Sequence, residues 1–194
     1  MSGPIPLLAE DRPQHQLVDA IFQELIQAGM VRTHSYSNQD STLSVAESFL
    51  LRNPDRFVAI VLETRTAEPW EISEFDLAVR RRVLKFVPME THWQMALAIP
   101  NLKAWALIDD HVRHEYEKIH QDPATAGTCE ERKKIEWSNY MTLASKIGEW
   151  VAAQPFDLET LKQKSRQVRE LCTFIEKSLQ YEPEPVPVTA ADWF

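Results

Sequence analysis

"RFVAIVLETRTAEPWE", residues 56–71, decides how this chain reads. From Phe57 to Leu62 the side chains are continuously apolar. A strand with one wet face alternates apolar and polar residues, whereas a strand covered on both faces does not. The run therefore predicts a central strand of a mainly parallel sheet. It stops abruptly at Glu63, Thr64 and Arg65. Ionised groups just past a buried strand cost free energy unless water, a partner or a metal satisfies them. Open α/β sheets also place ligand chemistry at the carboxyl ends of their strands. Glu63 to Arg65 is thus either a working site, a lost one, or a salt-bridged loop.

The flanking segments supply the rest of an α/β unit. Ile5–Ala9 and Val31–Tyr36 predict two further strands. Between them, Pro13 is suited to the first turn of a helix. Leu17, Val18, Ile21, Phe22, Leu25 and Ile26 then form one amphipathic stripe, which Gly29 ends. "SNQDS" is turn-like, and Asp40 or Ser41 is the expected cap of a helix carrying Leu43 to Leu51. Pro54 stops that helix. Glu71 to Leu84 predicts another helix, with Arg80, Arg81 and Arg82 near its end, where cations suit the dipole. Leu84–Val87 and Met95–Ile99 are the remaining strand candidates. Alternation of this kind implies a mainly parallel sheet flanked by helices.

After Pro100 and Asn101 the pattern turns helical, over about 102–119, 131–153 and 157–180. "HQDPATAGTCEER" is a loop between the first two of these. "YEPEPVPVTAADWF" is a proline-rich extended tail with an aromatic tip. The organisation expected is an α/β core over 1–100, a helical part over 101–181 packed on it, and a tail over 182–194.

Composition narrows the class of function. The chain has 194 residues, enough for one sizeable core. A formal net charge of −8 argues against nonspecific nucleic-acid binding, which depends on Lys and Arg neutralising phosphates. Two cysteines, Cys129 and Cys172, fit free thiols in a reducing cytoplasm. The N-terminus does not read as a signal peptide. No run of about 20 apolar residues would cross a membrane. Only four glycines occur, and none sits in a phosphate-binding loop motif.

The order of elements resembles a Toprim domain, the metal-binding α/β unit of topoisomerases, primases and overcoming-lysogenization-defect (OLD) nucleases. Such proteins carry a glutamate after the first strand and an Asp-x-Asp pair after the third. In this chain Glu10, in "PLLAEDRPQHQLV", holds the first place, and Glu63 and Arg65 hold the pair. "IPNLKAWALID" is similar to a "P-x-x-E-A-W-x-x-x-D" segment of compact Toprim-like proteins related to the RloB group. Pro100, Ala104, Trp105 and Asp109 match it, while Lys103 replaces the glutamate. "LASKIGEWVAAQPFDLETLKQKSRQVRELCTFIEKSL" looks like the helical ending of the same proteins.

The resemblance implies a magnesium site built from Glu10, Glu63 and Asp109, and nuclease or phosphotransferase chemistry at it. Magnesium takes oxygen ligands, usually one or two carboxylates with water and phosphate. Arg65 and Lys103 put fixed cations at ligand positions, and cations repel a divalent metal. The expectation is therefore a non-catalytic interaction or regulatory module with no cofactor. Internal salt bridges, such as Glu10 with Arg65 or Glu63 with Lys103, would stand in place of metal. A role in bacterial defence or in a larger assembly is what the resemblance adds. Magnesium-dependent nuclease chemistry is the alternative.

Other motifs carry weaker signals. His111, His114, Glu115 and His120 lack the i, i+4 histidine pair of a zinc helix and read as a solvated face. Arg80–Arg82 with Lys85 could touch nucleic acid or an acidic partner, although the helix terminus explains them equally well and is the preferred reading. Trp105 and Trp150 read as core. Trp70, Trp93 and Trp193 are the candidates for contact surfaces, and Trp193 with Phe194 is the expected partner anchor.

Overall fold

In a computed structural model the described residues are 3–10, 17–85, 92–108, 112 and 156–181. Four strands, β1 (Ile5–Glu10), β2 (Val31–Tyr36), β3 (Val58–Glu63) and β4 (Trp93–Ala98), form one sheet in the order β2-β1-β3-β4. Every neighbouring pair is parallel. Leu7 to Ala9 of β1 lie opposite Ala59 to Val61 of β3. The α/β class read from the sequence is the observed one.

Val58 to Leu62 are completely buried, so the unbroken apolar run marks a strand covered on both faces. Ala59 and Val61 point into one core and Val58, Ile60 and Leu62 into the other. Burying each of the larger aliphatic side chains contributes about 1.5–3 kcal/mol. The first core is closed by α1 (Leu17–Ile21), α2 (Gln23–Gln27), α5 (Leu102–Ala106), α6 (Leu158–Lys164) and α7 (Arg166–Leu179). The second is closed by α3 (Gln39–Arg52) and α4 (Pro69–Leu84). Leu158, Leu161, Val168, Leu171 and Ile175 share their cluster with strand residues, so the C-terminal helices complete a three-layer sandwich. At the sheet edge, the Leu97 N–H of β4 donates to the Gln167 side chain of α7 at 3.4 Å. Side-chain cover of this kind blunts an edge strand that would otherwise pair with another chain.

Several boundaries differ from the sequence reading. The first helix is interrupted at Phe22, and its expected opening at Pro13 lies outside the described residues. Gly29 does end it, at φ +69°, a conformation that glycine adopts without penalty. The cap of α3 is Asn38, whose side chain accepts from the Ser41 N–H at 2.8 Å. Asp40 is instead inside the helix and pairs with Arg82. Helix α4 begins two residues early, at Pro69. Leu84 closes that helix and is not part of a strand, while 86–87 lie outside the described residues. The expected helix over 157–180 is two helices. Ser165 is extended, at φ −118° and ψ 113°, and its hydroxyl caps α7 by accepting from the Val168 N–H. Helix 131–153 lies outside the described residues, as does most of the chain beyond Ile108 in the 102–119 segment.

The tryptophans also sort themselves. Trp105 is core, as its apolar neighbours suggested. Trp93 is not a contact surface, because it begins β4 and is buried under α4 with the Arg80 guanidinium 5.7 Å from its ring centroid. Trp70 is 61 % exposed. Trp150 and Trp193 lie outside the described residues.

Candidate functional site at the carboxyl ends of the strands

The parallel sheet puts the last residues of β1 and β3 side by side. Glu10 ends β1 and Glu63 ends β3. Beyond Glu63 the chain stays tied to the β4–α5 connection. The Thr64 N–H donates to the Ala98 carbonyl at 3.2 Å and the Arg65 N–H to the Pro100 carbonyl at 2.7 Å. Thr64 is buried, and its hydroxyl donates to the Thr66 carbonyl at 2.7 Å. These bonds hold Arg65 at φ +60°, in the left-handed region. A non-glycine residue there costs roughly 1–2 kcal/mol, so the surrounding structure must over-determine it.

The held backbone aims the Arg65 side chain across the strand ends. Its Nη2 donates to Glu10 Oε1, forming an ion pair. The two partners sit in different surroundings. Glu10 is only 5 % exposed, and Arg65 is 67 % exposed. The second carboxylate oxygen, Glu10 Oε2, is buried and has no hydrogen-bond partner among the described residues.

Glu63 has a different task. Its Oε1 accepts from the Leu102 N–H at 3.0 Å, at the first residue of α5. Asn101 caps the same turn by accepting from the Ala104 N–H at 3.1 Å. Together they satisfy two amides that a helix terminus leaves open. Lys103 is half-buried in that turn, next to the amide that Glu63 binds. Asp109 lies outside the described residues.

The side chains that the sequence singled out thus converge only in part. Glu10 and Glu63 end adjoining strands, Arg65 lies two residues past β3, and Lys103 lies in α5 beyond the end of β4. This donor set does not fit a magnesium ion. One of the two described carboxylates already carries a guanidinium, which stays charged at any ordinary pH. Among the described residues, no three His, Cys, Asp or Glu side chains come close enough to hold a metal. His111, His114, Glu115 and His120 lie outside the described residues.

Two members of the basic cluster on α4, Arg80 and Arg82, pair within their own chain. Arg80 pairs with Asp76 at 2.8 Å, one turn back. Arg82 bridges to α3, with Nε on Glu47 at 2.6 Å, Nη1 on Asp40 at 2.7 Å and Nη2 on Ser44 at 3.1 Å. The hydrogen bond to Asp40, and then that to Glu47, raises the Arg82 pKa against the opposing effect of burial. Arg81 is exposed.

Sequence reasoning missed the backbone partners that shape the site, namely Ala98, Pro100 and the Leu102 amide. Asn101 was legible as a helix breaker, and an asparagine directly before an apolar helix is also a cap signal. The buried, unpartnered Glu10 Oε2 has no sequence signal at all. No protein-family model, curated protein or solved structure matches this chain.

Proposed function

We propose that this chain is a Toprim-like interaction or regulatory module that acts in the cytoplasm through a protein partner and not by catalysis. The observation that supports the reading is the Glu10–Arg65 ion pair. It places a permanent cation on the carboxylate that a metal would need. A divalent ion would have to displace a guanidinium held by both its carboxylate and its strained, hydrogen-bonded backbone. The partner contact falls to the aromatic tip, Trp193 and Phe194, in a defence system or another larger assembly. Nucleic acid is the weaker candidate for partner because of the acidic charge.

Magnesium-dependent phosphoryl transfer is the second reading, and Glu10 Oε2 is the one feature that favours it. A buried carboxylate oxygen without a donor is short of positive charge. Calorimetry of the whole chain with Mn²⁺ separates the two readings. The expected result is no stoichiometric site in wild type. A micromolar site in wild type, lost in Glu10→Ala or Glu63→Ala, would overturn the non-catalytic reading and return the chain to the metal-dependent class.

A further inference from the structure

A second concave surface lies at the amino-terminal ends of the strands, away from Glu10 and Glu63. It is a groove of about 980 Å³, bounded by the entries to β1 and β3, the start of β2, the end of α3 and the turn after α7. Its apolar surface is aromatic, made by Phe49, Phe57 and Tyr181.

The walls are fixed by bonds within the chain. The Asn53 N–H and side-chain amide both donate to the Phe49 carbonyl, at 3.0 and 2.9 Å. The Arg56 N–H donates to the Asn53 carbonyl at 3.0 Å. His92 is buried, and its Nδ1 donates to the Pro54 carbonyl at 2.6 Å. The His92 ring also meets Phe57 edge to face, at 5.0 Å between centroids. The turn that carries Arg56 and Phe57 is thus held from two sides. A surface already in place loses little freedom when it binds.

The charge in the groove is mostly positive. Arg32 and His34 stand in register with Pro6 and Leu8 of β1, and Leu8 lies in the core beneath α3. They join Arg56 in the lining, against the single carboxylate of Asp55. Neither arginine has an ion-pair partner among the described residues, unlike Arg65, Arg80, Arg82 and Arg166. Two unpaired guanidiniums in a protein of net charge −8 favour an acidic occupant.

The shape says what kind. Phe57 and Tyr181 meet edge to face at 5.2 Å between centroids, which leaves no slot between them for a flat base. The lining runs instead across the entries of β3, β1 and β2, two strand spacings or roughly 10 Å. A polyproline-type chain has three residues per turn and rises about 3.1 Å per residue, so residues i and i+3 share a side about 9 Å apart. That interval suits one carboxylate on Arg56 and another on Arg32. Arginine receives a carboxylate through two parallel N–H bonds, and aromatic grooves take extended proline-containing segments.

We propose that this groove is a docking site for an extended acidic segment of a protein partner, with two carboxylates three residues apart on Arg56 and Arg32. The residues between them, proline included, lie on Phe49 and Phe57. The inference rests on the reading of this chain as an interaction module only in taking a protein as the partner. The strand-end site plays no part, so metal binding there would leave the groove as it is.

Fluorescence anisotropy of the full-length protein with a fluorescein-labelled peptide of repeated Glu-Phe-Pro-Glu units tests it. Saturable binding is expected, and its loss when glutamine replaces glutamate in the peptide. Arg32→Glu/Arg56→Glu should weaken binding at least about tenfold and should create binding to the matching Lys-Phe-Pro-Lys peptide. Tyr181→Ala should weaken binding without changing the charge. All three side chains are exposed, so circular dichroism of each variant should match wild type. A wild-type chain that does not bind the peptide overturns the proposal, as does binding that the charge reversal leaves unchanged. A labelled oligodeoxythymidylate that binds more tightly than the peptide, and is lost in the same variant, would give the groove to single-stranded nucleic acid and overturn it too. So would self-association of the wild type that the charge reversal abolishes, which would put a second copy there.

Discussion

Arg65 and Glu10 lie 55 residues apart in the chain and form an ion pair across two neighbouring strand ends. The arginine reaches the carboxylate from a left-handed backbone, with its own N–H bonded to the Pro100 carbonyl. Two costs meet here, a strained residue and a buried charge. The pair holds because each half fixes the other.

Substitution at Arg65 should separate these two costs. Arg65→Ala removes the guanidinium, leaves Glu10 buried without its donor and keeps the left-handed strain. Truncating one member of a buried pair costs about 3–5 kcal/mol. The arginine is largely in water, so a loss of about 1–2 kcal/mol is expected after screening. Arg65→Gly loses the same ion pair but tolerates φ +60°. It should be more stable than Arg65→Ala by about 1 kcal/mol in urea unfolding. Equal stability of the two variants would mean that the backbone carries no strain.

The Arg82 bridge predicts an unequal pair of couplings. Glu47 is 14 % exposed and Asp40 is 87 % exposed. Asp40 has the larger effect on the Arg82 pKa, yet water screens it far more. Double-mutant cycles should give about 1 kcal/mol for Arg82 with Glu47 and near zero for Arg82 with Asp40. The reverse order would show that burial does not control these pairs.

Cys172 is a free, fully buried thiol in the core under α7. Burial pushes its pKa up to about 12 from 9.0. Native protein at pH 8 should therefore leave Cys172 unmodified by a thiol reagent, as peptide mass spectrometry can check. The sign of the alkaline effect follows from linkage. Between the unfolded and folded pKa values the unfolded state releases the proton and the folded state keeps it. Stability falls as pH rises above about 9, by up to roughly 1.4 kcal/mol per unit, and this fall levels off near the folded pKa. Cys172→Ala should lack this part of the alkaline slope. An identical slope in the variant would assign the effect to other groups.

The aromatic tip predicts a separation between folding and assembly. Deleting residues 189–194 is expected to leave the melting temperature nearly unchanged and to weaken assembly with the partner. A large fall in the melting temperature of the monomer would place the tip in the core instead. Unchanged assembly would remove the partner role.

Much of the architecture was legible because it rests on local pattern. The unbroken run Phe57–Leu62 announced a strand covered on both faces. Gly29 marked a helix end. The periodicity of Leu17 to Ile26 marked a buried helical face, although the break at Phe22 was hidden within it. The split at Ser165 was hidden for a related reason. A serine is tolerable inside a helix and good at a cap, and only the packing of α6 and α7 on the sheet selects between them. Trp93 looked like a surface residue because its sequence neighbours are polar. Its burial depends on α4, which contributes Arg80 and Val83 from a distance in the chain.

The sequence by itself determined the strands beginning at Ile5, Val31 and Phe57–Val58, their parallel character and which titratable residues stand at their ends, because hydrophobic period and turn chemistry are local. It offered Glu10 with Arg65 and Glu63 with Lys103 as pairings there and could not tell which form. The tertiary structure selected Arg65 as the partner of Glu10 and put the Leu102 amide on Glu63. That selection needs β1 and β3 to be direct neighbours, with the β4–α5 connection folded over their ends. Strand adjacency is set by the packing of two whole helical layers. An ion pair lives or dies on a few ångströms, and no local pattern holds that distance.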